Sequence, residues 1–131
     1  MTNMNIWHWL IIGLGGGVGA MGRFALTTYI NRLHGSLYPW GTFIVNALGC
    51  FIMGLAFVFF TLKYPHLPIG WRGFVLVGLL GAFTTFSSFA LEGLTLLQQH
   101  QYTLALLYMV ASVIICIIAV AIGFGAGKLI F

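Results

Sequence analysis

Residues 40–62 pass without one charged side chain, and three further stretches of the chain are nearly as apolar. That feature fixes the solvent. A helix needs about 20 largely apolar residues to cross the hydrocarbon core of a bilayer. Charges, prolines and polar clusters cut this chain into four pieces of that length. They are expected at about residues 7–30, 40–62, 71–97 and 103–127, the last ended by Lys128. The polar breaks are Asn31 to Ser36, closed by Pro39; a loop from Lys63 to Pro68, where two prolines deny a helix; and Gln98 to Gln101. Composition agrees: 5% of the 131 residues are charged and 61% are hydrophobic, against roughly 25% charged in an average soluble domain. Too little polar side chain exists to cover such a core in water.

The charged residues are Arg23, Arg32, Lys63, Arg72, Lys128 and the single acid Glu92. The net charge of +4 is scattered singly, with no basic patch to follow phosphates, so no nucleic-acid partner is expected. Trp7, Trp9, Trp40 and Trp71 fall at span ends, as do Tyr38, Tyr64 and Tyr102, where amphipathic rings meet lipid headgroups. No Lys or Arg precedes Leu10, so a charged leader region is missing and the first apolar run reads as a retained helix. Cys50 and Cys116 lie far apart in sequence, form no metal spacing, and read as small core residues.

The expected architecture is a single all-α, four-helix transmembrane domain over residues 1–131, multi-pass in a cell membrane. Lys63, Arg72 and Lys128 share one side of the membrane, whereas Arg32 and the leaning Arg23 favour the other. So small a bias permits insertion both ways round, and hence an antiparallel dual-topology homodimer. Four short helices are too thin to enclose a water-filled route alone. Glycines 13, 15, 16, 17, 19 and 22 let backbones approach closely, either within one protomer or at a subunit interface.

Polar chemistry concentrates in two places. The third span carries Gly78-Leu-Leu-Gly-Ala-Phe-Thr-Thr-Phe-Ser-Ser-Phe89, with glycines and hydroxyls that crossing lipid does not require. A broken helix with freed carbonyls for a small cation is one reading; a continuous helix whose hydroxyls bond back to their own carbonyls is the other. The second span opens with Gly41-Thr-Phe-Ile-Val-Asn46, placing an amide inside apolar surroundings. Asn46 is either a donor for a ligand or a glue between helices.

These two motifs together resemble the paired signature of the Fluc (CrcB-type) fluoride channels. Gly22-Arg23, the glycine-rich first helix and the weak charge bias agree with that resemblance over essentially the whole chain. The resemblance implies an antiparallel homodimer in the membrane lipid, with two pores for the fluoride ion and a structural sodium ion at its centre. It implies that backbone carbonyls of Gly81 and Thr84 hold the sodium, that Phe86 and Phe89 line the pores, and that Asn46 meets the anion. Arg23 would sit near an aqueous vestibule. Thr85, Ser88, Tyr108 and Glu92 are candidates for a polar track. Glu92 reads equally as structural, as a vestibule charge or as a tuner of permeation.

The chemistry of these side chains is compatible. Phe86 and Phe89 are three apart and share a helix face, and an aromatic ring presents a positive edge to an anion. The resemblance implies passive export of fluoride down its electrochemical gradient, which protects the cell. No nucleotide loop is present. Small multidrug exchangers also have four short helices, but they need an acid in the first helix, and here its only charge is Arg23. A scaffold subunit needs neither Asn46 nor the hydroxyl-rich span. His8, His34, His66 and His100 lie near span ends with no ligand spacing, so an enzyme is not expected.

Overall fold

A computed structural model describes residues 4–131. Among the described residues all regular structure is helical. The elements are α1 (Ile6–His34), α2 (Trp40–Phe57) continued by the π-helical turn π1 (Val58–Lys63), then α3 (Ile69–Arg72), π2 (Gly73–Leu80), α4 (Gly81–Phe83), α5 (Phe86–Gln98) and α6 (Tyr102–Ile130). They compose four spans long and apolar enough to cross a membrane: Ile6–His34, Trp40–Lys63, Ile69–Gln98 and Tyr102–Ile130. The protein is thus a multi-pass membrane protein. The first span outruns its expected end by about a turn, because Arg32 and His34 extend the helix into the headgroup region instead of stopping it.

The ends are fixed locally. Asn5 caps α1 by accepting from the His8 amide at 3.4 Å, while the Asn5 amide donates to His8 Nδ1 at 3.3 Å. The helix stops at Gly35, whose φ of 48° is open to glycine. Asn31 Oδ1 then accepts from the Gly41 amide at 2.9 Å and ties the end of α1 to the start of α2. At the opposite rim Arg72 donates to the carbonyls of Phe60 at 2.7 Å and Pro65 at 3.2 Å. Those bonds satisfy carbonyls that the π-helical end of the second span and the following loop leave open.

Two backbone contacts set the packing. α1 lies against π2, where a methyl group on Gly15 would sit 2.5 Å from the Phe74 carbonyl and one on Gly78 would sit 2.6 Å from the Ile12 carbonyl. α2 lies against α6, where Gly54 and Gly123 each press on the other helix's backbone. Of the first-helix glycines, Gly15 and Gly19 therefore serve packing within the protomer, while Gly13, Gly16 and Gly17 face open space. Accordingly Gly123→Ala is expected to lower stability by about 1–3 kcal/mol through overpacking, with Gly13→Ala close to neutral. Melting temperatures of the two variants in detergent check this.

In no span is more than 28% of the most apolar window buried within the chain. Phe24, Trp7, Leu14, Ile117 and Leu129 are all well exposed. Their surroundings are lipid or another protein surface, since water would not tolerate that area.

Candidate functional site

The third span does not run as one regular helix through its hydroxyl-rich middle. Thr84 (φ −82°, ψ 157°) and Thr85 (φ −151°, ψ 121°) have extended backbones between α4 and α5. Asn46 of α2 meets this segment with both ends of its amide. Its Nδ2 donates to the Thr85 carbonyl at 2.9 Å, and its Oδ1 accepts from the Thr85 amide at 2.7 Å. The second bond gives the Thr85 amide an acceptor in place of the Gly81 carbonyl, inside the membrane where no water compensates for a lost one, and the first adds a donor to the carbonyl of the residue that caps α5. The second hydrogen of the Asn46 amide is left to spare.

The same rearrangement releases carbonyls. In an uninterrupted α-helix the Thr85 amide would bond to the Gly81 carbonyl and the Ser88 amide to that of Thr84. Here the Thr85 amide goes to Asn46, and the Ser88 amide donates to Thr85 Oγ1 at 3.2 Å. The carbonyl oxygens of Gly81 and Thr84 therefore lose their usual partners, and so do those of Ala82 and Phe83, to which no Phe86 or Ser87 amide donates among the described residues. Thr85 Oγ1 also lies 3.2 Å from both Ser87 Oγ and Ser88 Oγ, capping α5 with a small hydroxyl cluster.

Beside this segment lies a cavity of about 290 Å³ walled by Asn46, Thr85, Phe86, Phe89, Ser112 and the two cysteines among others. Phe89 is buried, and Phe86 is 76% exposed at the rim. Their ring centroids are 5.3 Å apart, and Phe89 stands at the same distance from Tyr108. Ser112 is buried, and its hydroxyl has no partner among the described residues.

A second polar cluster lies along α5. Glu92 accepts from Thr42 Oγ1 and from the Tyr108 hydroxyl, each at 2.7 Å. Its carboxyl group thereby joins α2, α5 and α6, and its buried partners are hydroxyls rather than a cation. Thr42 is 2% exposed and Tyr108 fully buried. Tyr38 packs edge-on against Tyr108 at 5.4 Å and belongs to the loop before α2. Partial burial raises its phenol pKa above the ordinary value, so it stays neutral at physiological pH.

Of the residues singled out in the sequence, Asn46, Thr84, Thr85, Phe86 and Phe89 thus converge on one cavity. Ser88 adjoins it through Thr85, and Tyr108 with Glu92 forms the neighbouring cluster, linked through the Phe89 ring. Gly81 opens α4, on the other side of Thr84 along the span. Arg23 is half-buried on α1 and belongs to neither cluster. Sequence reasoning missed Thr42 and Ser112. A hydroxyl inside the apolar second span was the signal for Thr42; Ser112 has none beyond being a lone serine in α6.

The chain is similar to known proteins along nearly its full length. Residues 10–124 match the family described as CrcB-like protein, Camphor Resistance (CrcB). A fluoride-specific ion channel FluC of Magnetococcus marinus is 47% identical over 119 residues, covering 91% of this chain and 96% of the relative. The FluC of Hahella chejuensis is 40% identical over 127 residues, covering 97% and 99%. That of Hydrogenovibrio crunogenus is 37% identical over 131 residues, covering 100% and 98%. A match of that extent, on a chain with four membrane spans and an Asn46–Thr85 pair within the third, places this protein in the CrcB family.

Proposed function

We propose that this protein is a fluoride-selective passive channel, and not an enzyme, that exports fluoride down its electrochemical gradient and protects a bacterial cell from it. The observation that carries the reading is the cavity where Asn46, Phe86 and Phe89 meet the extended Thr84-Thr85 segment. A small hard anion must exchange its hydration shell for donors in a narrow, largely apolar passage. The spare Asn46 N–H, the Ser112 hydroxyl and the ring edges of Phe86 and Phe89 supply such donors. Among the described residues no charged side chain lines the cavity, so an entering anion is not trapped. The Thr85–Ser88 hydroxyls and the Thr42–Glu92–Tyr108 cluster extend a polar track from it. In this reading Glu92 is a structural anchor that orients Tyr108, and Arg23 draws anions to a vestibule by its charge.

The working unit is an antiparallel dual-topology homodimer with two pores. Phe86, so exposed in the single chain, then faces a partner-walled passage, and the wide apolar surface finds a cover. A structural sodium ion fits at the centre of such a dimer. Carbonyls of Gly81 and Thr84 lose their helical partners and are hard oxygen donors of the sort a small cation takes. When bound, the ion supplies positive charge and a link between two thin protomers.

Efflux from proteoliposomes loaded with potassium fluoride, followed with a fluoride electrode, tests the proposal. Valinomycin-dependent release without matching chloride release is expected. No release from inserted, dimeric protein would reject it in favour of a scaffold role. In the same assay Phe86→Ile and Phe89→Ile are each expected to cut fluoride flux by ~10-fold or more, equivalent to about 1.4 kcal/mol. Unchanged flux in both would remove the rings from the pathway.

A further inference from the structure

The two cysteines, remote in sequence, are neighbours in the fold. Cys50 on α2 and Cys116 on α6 wall the same cavity. α2 and α6 run in the same direction, since both enter from the side of the Pro39 and Gln101 turns. Their contact is a ladder of parallel rungs one turn apart. Gly54, one turn beyond Cys50, presses on the backbone of Val120, one turn beyond Cys116. Asn46 and Ser112, one turn before each cysteine, wall the cavity too. The cysteine rung sits between these, so both free thiols meet the cavity at one level, beside the close glycine rung.

We infer that Cys50 and Cys116 form a two-thiolate clamp for a soft, linearly coordinating divalent cation, the mercuric ion, on the wall of the cavity. Thiolates select soft metals. The two sulfurs come from helices whose backbones are fixed against each other at Gly54 and Gly123, so binding the ion asks for side-chain rotation and not for a new approach of the helices. Charge decides among the soft ions. Among the described residues no ionisable group other than these thiols lines the cavity, and an uncompensated charge there is costly. Two thiolates around a monovalent cation leave a net negative charge, whereas around a divalent one they leave none. Two S–Hg bonds form as the ion gives up two chlorides or two small-molecule thiolates, which leave with the two S–H protons, and no oxidation state changes. The buried Ser112 hydroxyl, one turn from Cys116, stands without a partner in the same cavity. A third protein ligand is not needed for linear coordination, and no group of three or more His, Cys, Asp or Glu is found among the described residues.

The chain's having only two cysteines makes the test direct. Purified full-length protein in detergent is equilibrated with one equivalent of HgCl2 per chain in excess N-acetylcysteine, desalted, and its mercury measured by elemental mass spectrometry. About one mercury per chain is expected in the unaltered protein and under about a tenth of that in Cys50→Ser or Cys116→Ser, because one thiol lacks the effective concentration that holds the ion. Cys50→Ala and Cys116→Ala provide a second pair should either serine variant misfold. Absence of mercury from the unaltered protein, or equal retention in the single variants, overturns the clamp. Mercury retention is read without any flux. The added expectation that stoichiometric HgCl2 lowers fluoride efflux rests on the proposed channel function, so the two can fail separately.

Discussion

Asn46→Asp abolishes fluoride efflux, with an expected loss of at least ~100-fold, because a unit negative charge about 4 Å from a permeating anion raises its energy by roughly 4 kcal/mol at an effective dielectric of 20. The substitution changes two interactions at once. The introduced carboxylate still accepts from the Thr85 amide, which Asn46 Oδ1 now holds at 2.7 Å. It has nothing to offer the Thr85 carbonyl, which Asn46 Nδ2 reaches at 2.9 Å, so two acceptors face each other. The spare N–H proposed for the anion is lost as well. Efflux from proteoliposomes is measured beside chromatographic size and insertion. Efflux at the unaltered rate in a correctly assembled variant would leave Asn46 as a tie for Thr85 and nothing more.

Glu92→Leu is expected to be the most destabilising of the polar substitutions. It strands two hydroxyls, those of Thr42 and Tyr108, at positions 2% and 0% exposed. At about 1–3 kcal/mol for each orphaned group, the sum is about 2–6 kcal/mol. Glu92→Gln keeps one carbonyl oxygen to accept from one hydroxyl, and its NH2 group can still donate to the other hydroxyl oxygen. It is expected to recover most of that loss. Thermal unfolding in detergent separates the two variants. If Leu and Gln behave alike, the two 2.7 Å bonds carry no net stability. If Glu92→Gln is stable yet loses fluoride efflux, Glu92 contributes to permeation beyond anchoring Tyr108.

The four spans and their polar breaks were legible in the sequence, because partition into lipid adds up locally along a segment. A run such as residues 40–62 declares itself whatever its neighbours do. The motif around Thr84 and Thr85 was legible as chemistry out of place, although its residues alone left a broken and a continuous helix both open. Phe86 and Phe89 shared a face by spacing alone.

Partnership was not legible, because it depends on how each helix is rotated and how far it slides along the next. Asn46 and Thr85 are 39 residues apart, and Glu92 lies 50 residues from Thr42. Nothing in those separations says that the amide closes on the Thr85 backbone or that Glu92 takes hydroxyls in place of a cation. The run of glycines in α1 did not say which of them were needed; the approach of π2 selects Gly15 and Gly19 and leaves Gly13 and Gly17 open. Cys50 and Cys116 read as unrelated core residues until the Gly54 and Gly123 contacts set the register of α2 on α6. The solvent and the number of crossings follow from the residues alone, being sums over single segments. Which polar groups meet is settled by helix packing, since in a membrane a backbone group freed from its helix must find its partner on a neighbouring helix, with no water to stand in.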